Sequence, residues 1–337
     1  MKIFLYIIFF FIVVNTIQAK ESSKLVWPPA PDEAHIEYVS SINQAKDLGI
    51  EKGFFAKLKD FVFGEDDFSL SAPFGIHVDK NRIYTTDIIA KKVYIFDKKE
   101  NEVIWLEGSK KENFLYPVDV ISDKRGNIYV SDSVRAKVYV FDKDGEFNYI
   151  INNKKLKRPV GIALSSDEKQ LYIVDTLSSQ IHISNLKGKI LSSIGKPGKK
   201  HGEFNRPTYI DVGSDGKLYI TDSMNHRVQI LDSNGKYIHS FGKLGQKIGN
   251  FANPRGIALD SDENIYVNDT LFNTIQIFNP KGELLMIFGR YGFKAGEFAL
   301  PIDISITKNN RIYISDTNNK RFQIFKRLDV STDRSTK

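Results

Sequence analysis

The chain contains no cysteine among its 337 residues. That excludes disulfide staples, a thiolate nucleophile, a cysteine-held metal and a lipid-modified cysteine anchor. Long apolar runs are nearly absent as well. The one such stretch, Ile3 to Val14 after Lys2, is about a dozen residues, short of the ~20 that a membrane span requires. A basic start, a short apolar run and Ile17-Gln-Ala19 at its end read instead as a secretory signal over residues 1–19, cleaved after Ala19. The expected location is therefore periplasmic, cell-envelope or extracellular. Histidine is sparse too. The six present, His35, His77, His182, His201, His226 and His239, share no common spacing, which removes support for a three-histidine zinc site. No serine sits in a recognisable nucleophile turn.

What is present is a repeat. Its clearest copy begins at Pro207 and alternates apolar residues over Ile210–Val212, Leu218–Thr221, Val228–Leu231 and Tyr237–Phe241, with Ser-Asp-Gly, Ser-Met-Asn-His and Ser-Asn-Gly between them. Period-2 alternation broken by short turns is a hairpin meander. Copies restart at Pro73, Pro117, Pro159, Pro207, Pro254 and Pro301, at spacings of 44, 42, 48, 47 and 47. A four-stranded unit at this period predicts a β-propeller blade, and six copies over residues 73–328 predict an all-β, six-bladed ring of four-stranded antiparallel blades.

The sixth copy stops after its third strand. Residues 36–42, reading Ile-Glu-Tyr-Val-Ser-Ser-Ile, resemble the outer strands of other copies and are expected to supply the missing one. Closure of this kind hides a raw sheet edge. Residues 20–35 form a proline-rich leader, and residues 329–337 a polar tail. Between closing strand and first blade, residues 43–72 hold an apolar stripe at helical spacing (Leu48, Phe54, Phe55, Leu58, Phe61, Val62) with lysines interspersed. This predicts one short amphipathic helix within residues 46–62, covering core or touching a membrane surface.

The repeats resemble the NHL family of propellers. Tyr219-Ile-Thr-Asp222 followed by Asn225-His-Arg-Val-Gln229 matches its hallmark closely, and Asp316 to Gln323 and Asp269 to Gln276 are looser copies. Every repeat keeps a Tyr three residues before an Asp, from Tyr84/Asp87 to Tyr313/Asp316. Six copies of one pair indicate a structural role, since a catalytic constellation is asymmetric. The resemblance also implies relatives of two functional kinds. RNA binders use basic patches, whereas zinc-dependent lyases place histidines beside the blade prolines, where this chain has Phe74, Val118, Val160, Thr208, Arg255 and Ile302.

Charge is unevenly placed. Lysine and arginine exceed aspartate and glutamate by 48 to 41, and the excess gathers in the loops of one face of the expected ring. Lys199, Lys200, His201, His226, Arg227, Lys243, Arg290, Lys320 and Arg321 are the candidate contacts for an anionic partner. At the channel mouth Tyr209 and Arg255 join them, while Asp119 and Asp303 are the candidate ligands of a divalent cation. No cofactor is otherwise expected. The reading is a non-catalytic exported propeller that binds a protein or an acidic envelope polymer through its basic face; export argues against nucleic acid. Two alternatives stand beside it: a hydrolase or lyase using a channel cation, and a structural module of a cell-envelope assembly.

Overall fold

The computed structural model describes residues 24–29, 31–50 and 69–328. The predicted signal segment, most of the predicted amphipathic helix and the polar tail lie outside the described residues. The described start of that helical stretch is a single 3-10 turn, Ala45–Leu48, ended by Gly49 at φ 74°. Left-handed φ at a glycine is a common way for a helical turn to stop.

Six antiparallel sheets surround one axis, each beginning at its proline. Blade 4 is representative, with strands Pro207–Val212, Leu218–Asp222, Arg227–Leu231 and Tyr237–Phe241 from the axis outward. The sixth blade holds Pro301–Ile306, Arg311–Asp316 and Arg321–Arg327, and its fourth strand is Ile36–Ile42, as expected. Phe325 pairs with Tyr38 in that junction. Beyond it, Val26–Trp27 adds a fifth strand from the proline-rich leader. Trp27 packs 5.7 Å from both Phe288 and Phe325, so the leader is fixed on the ring.

The core lies between blades rather than within them. Val174 and Ile181 of blade 3 pack with Ile210, Ile220 and Leu231 of blade 4, and Val93 and Ile95 of blade 1 pack with Val130 and Tyr139 of blade 2. A blade has no interior of its own, so each sheet is stable only with its neighbours in place.

Around the axis the second residue after each proline alternates in size. Blades 1, 3 and 5 carry Gly75, Gly161 and Gly256, whereas blades 2, 4 and 6 carry Asp119, Tyr209 and Asp303. The glycines are required by close approach. A Cβ on Gly161 would lie 2.6 Å from the Thr208 carbonyl oxygen, and one on Gly256 2.7 Å from the Asp303 Cα. Three glycines thus let neighbouring inner strands close on each other. Hydroxyl groups clamp most junctions: Thr86 to the Val118 carbonyl, Ser131 to that of Val160, Ser223 to that of Pro254 and Ser315 to that of Phe74.

Candidate binding face and central channel

In each blade the second strand ends in the repeated aspartate, and the chain turns back over one face of the ring, here the upper face. The segments joining one blade to the next cross the same face. Asp87 shows what the aspartate does: one carboxylate oxygen accepts the Ser71 and Ala72 amides of the joining segment, and the other accepts the Ile89 and Ala90 amides of the turn. Asp132 repeats all four bonds with Leu115, Tyr116, Val134 and Arg135. The tyrosine three residues earlier reaches the opposite end of the blade, as Tyr84 does in donating to Asp79. Both repeated residues are structural.

The pinned turn has a fixed shape. Its last residue is left-handed in all six blades, at Lys91, Ala136, Ser179, His226, Asn273 and Lys320, with φ of 54–55° throughout. The second residue after the aspartate then stands outward. In five blades that residue is apolar and exposed: Ile89, Val134, Leu177, Met224 and Leu271, between 51% and 68% accessible. The sixth is Asn318. A crown of exposed aliphatic side chains therefore rings the channel mouth. Sequence reasoning missed it, although aligning the repeats on their aspartates would have shown one position that stays apolar in a turn, where packing does not demand it.

The predicted basic residues separate into two groups. Arg227 donates from Nε to Asp222 at 2.9 Å, and from Nη2 to the carbonyls of Lys200 and Glu203. Arg321 does the same with Asp316, Lys294 and Glu297. These guanidiniums hold the joining loops in place and give little charge to the surface. Arg290 is exposed but paired with Glu297 at 2.8 Å. His226 contacts the Ala252 carbonyl through Nδ1, and His201 stacks on Tyr237 at 4.2 Å. Lys199, Lys200, Lys243 and Lys320 are exposed and make no ion pair within the described residues. These four lysines present free positive charge on the upper face, three on joining loops and Lys320 on the sixth turn.

Beneath the crown the inner strands pack together. Phe74, Val118, Val160 and Ile302 meet in one apolar cluster with Tyr209, and Arg255 is half-buried among them at the mouth. Asp119 and Asp303 lie below, 5% and 4% exposed. Both oxygens of each carboxylate already accept backbone amides. Asp119 takes those of Val120 and Ile162, and Asp303 takes those of Ile304 and Ile76. Asp211 repeats the device from blade 4, with Val212 and Leu259. Each carboxylate therefore ties an even blade to the next odd one. Burial pushes Asp119 up to about 7 and Asp211 up to about 6. Burial, with the charge of Asp119, pushes Asp303 well up too. The Tyr209 hydroxyl has no hydrogen-bond partner among the described residues. Among the described residues no group of three or more His, Cys, Asp or Glu side chains is placed to hold a metal ion.

These raised values carry a prediction with a definite sign. A carboxyl group whose folded pKa exceeds its unfolded one stabilises the fold most below about pH 4, and that stability is lost as pH rises through the folded value. His77 opposes this at lower pH, because burial lowers it to about 4; above about pH 6.5 it is neutral in both states. The melting temperature should therefore fall between about pH 6.5 and pH 8. The part of the infrared protonated-carboxyl band that fades through about pH 7 should be missing from Asp119→Asn, while the Asp303 carboxyl keeps a band of its own. A melting temperature that rises over that interval, with no such band, contradicts the assignment.

Comparisons with known proteins agree with this geometry. Residues 210–273 match a family described as 6-bladed beta-propeller, and residues 298–325 match the NHL repeat. No curated protein sequence matches the chain. Among solved structures, a protein of unknown function from Bacteroides thetaiotaomicron shares 17% identity at a TM-score of 0.63, over 87% of this chain and 75% of its own. A streptogramin B lyase shares 16% at a TM-score of 0.59, over 77% and 94%. Virginiamycin B lyase from Staphylococcus aureus, in a catalytically inactive form with quinupristin, shares 16% at 0.57, over 76% and 95%. At these identities the likeness is one of fold. The chain folds as a six-bladed β-propeller whose last blade matches the NHL repeat.

Proposed function

We propose that this propeller is an exported, non-catalytic binding platform, and that its upper face takes a protein segment presenting apolar side chains flanked by acids. The observation that carries this reading is the crown. An exposed aliphatic residue at one turn position in a soluble ring costs solubility, and its recurrence in five blades concentrates apolar surface around the mouth. A face that bears exposed apolar side chains at a recurrent position is a candidate interaction site. The lysines beside it, Lys199, Lys200, Lys243 and Lys320, complement acids at the rim, where charge governs encounter and register more than affinity. A purely ionic polymer would leave the crown unused, so the two features together favour a protein. The N-terminal sequence supports export.

The channel supports binding better than catalysis. Its carboxylates are committed to backbone amides and are almost fully buried. The lyases above share the fold at 16% identity, which supports no transfer of their chemistry.

Selection from a display library of random peptides tests the reading. The chain is expected to enrich sequences with apolar residues beside Asp or Glu. Their affinity should fall by about ten-fold or more in Leu177→Asp/Met224→Asp/Leu271→Asp, since truncating a few central apolar anchors removes most binding energy.

A further inference from the structure

Two adjacent joining loops, 242–249 and 289–296, have the same backbone. Each opens with a left-handed glycine (Gly242, Gly289), passes a second at φ 158° (Gly245, Gly292) and closes on a third (Gly249, Gly296). Each is sealed below by a short bridge, Leu244 to Phe251 and Tyr291 to Phe298, and both phenylalanines are fully buried. Loop 289–296 is further fixed from beneath, because a Cβ on Gly296 would lie 2.4 Å from the Trp27 ring. The loops are thus firm supports for whatever their tips carry.

Those tips carry large apolar residues. Leu244, Ile248, Tyr291 and Phe293 are 67%, 73%, 65% and 68% exposed, with Ile89 and Leu271 the highest values among the large apolar side chains described. Tyr291 and Phe293 touch edge to face at 5.7 Å and form one aromatic ridge. Exposure of this degree means that these side chains stand proud and line no groove. Lys243, Lys247 and Lys294 are interleaved with them, exposed and without an ion pair among the described residues. Glu297, the acid of the second loop, is turned inward onto Arg290. The third loop of this shape, 195–202, keeps the backbone but carries Pro197, Lys199 and His201 at the corresponding tips. Apolar tips are therefore a property of two neighbouring loops and not a requirement of the loop geometry.

We infer that loops 242–249 and 289–296 dock the propeller on an anionic lipid surface. Protruding aliphatic and aromatic side chains enter the interfacial region of a bilayer, where Tyr and Phe are suited to the boundary, and the lysines beside them face anionic headgroups. A protein partner for apolar residues of this size presents pockets to fill and meets a concave or flat surface. A row of knobs with cations between them fits a deformable, negatively charged plane better. Docking through blades 4 to 6 leaves Ile89, Val134 and Leu177 on the opposite side of the mouth. Lys243 is shared with the crown's rim, but the apolar tips of the two loops are distinct from the crown side chains.

The test is co-sedimentation with vesicles, using the chain from Lys20, which retains every described residue. The vesicles are phosphatidylcholine alone, or phosphatidylcholine with a quarter phosphatidylglycerol, across a salt series. Binding is expected to the anionic vesicles, to weaken with salt, and to be about ten-fold or more lower on phosphatidylcholine. Leu244→Ser/Ile248→Ser/Tyr291→Ser/Phe293→Ser should lower it about ten-fold or more with an unchanged melting temperature. Lys243→Glu/Lys247→Glu/Lys294→Glu, a second set of exposed sites, should lower it similarly. Absence of binding to anionic vesicles at low salt, or binding that survives both sets of substitutions, overturns the inference. So does a display-selected peptide that binds at these loops while vesicles do not.

Discussion

Gly161→Val is expected to lower the melting temperature by about 10 °C or more and to reduce the yield of folded protein. The added Cβ alone would sit 2.6 Å from the Thr208 carbonyl oxygen and 2.7 Å from the Tyr209 Cα. Both are backbone atoms of the neighbouring inner strand, so no side-chain rotation relieves the clash. The strands must part, and parting them loosens the apolar cluster that Val160 and Tyr209 share with Phe74 and Ile302. Overpacking against a rigid neighbour costs about 1–3 kcal/mol and more where backbone must move. For a unit of this size each kcal/mol is worth ~2–4 °C. Gly75→Val and Gly256→Val should behave alike, because their Cβ positions meet backbone at 2.4 Å and 2.7 Å. Thermal melts of the three variants check this. A shift below ~2 °C in all of them would show that the inner strands separate without penalty.

Asp222→Ala has the second large effect. The carboxylate is fully buried and accepts from the Asn205 amide, the Asn225 side chain, Arg227 Nε and Gln229 Nε2. Its removal leaves the Arg227 guanidinium, with 12% of its side chain exposed, without a counter-charge. Breaking a buried pair from one side costs about 3–5 kcal/mol. Loop 195–206 should loosen too, because Arg227 also holds the Lys200 and Glu203 carbonyls. Removing both charges in Asp222→Ala/Arg227→Leu should recover part of the loss, since no lone charge then stays buried. Chemical denaturation of the single and double variants measures the difference. If the double variant is no more stable than Asp222→Ala, the arginine is not the source of the penalty.

Much of the architecture was legible because it is repeated. Six prolines, six Tyr/Asp pairs and turn residues at fixed offsets state the blade and its count, and a sixth copy lacking its last strand states where Ile36–Ile42 must go. The site was harder to read, for physical reasons. Arg227 and Lys320 look equivalent as cations on one face, but only folding shows that the guanidinium reaches two loop carbonyls while the ammonium stays in water. Asp119 and Asp303 stood out as unusual residues beside the axis. What they touch, the amides of Ile162 and Ile76 from the next blade, depends on ring closure and is invisible in either repeat alone. The crown went unread for a different reason. A lone Met224 or Leu271 in a turn looks like ordinary surface, and only its recurrence at one geometric position makes it a surface feature.

The central claim is that the crown is a recognition surface, and the most direct measurement is the affinity of one display-selected peptide for the wild-type chain and for Leu177→Asp/Met224→Asp/Leu271→Asp. Both proteins should melt at the same temperature, because the three side chains are exposed. The variant is expected to bind about ten-fold or more weakly. Equal affinity in the two proteins would contradict it and place recognition away from the crown.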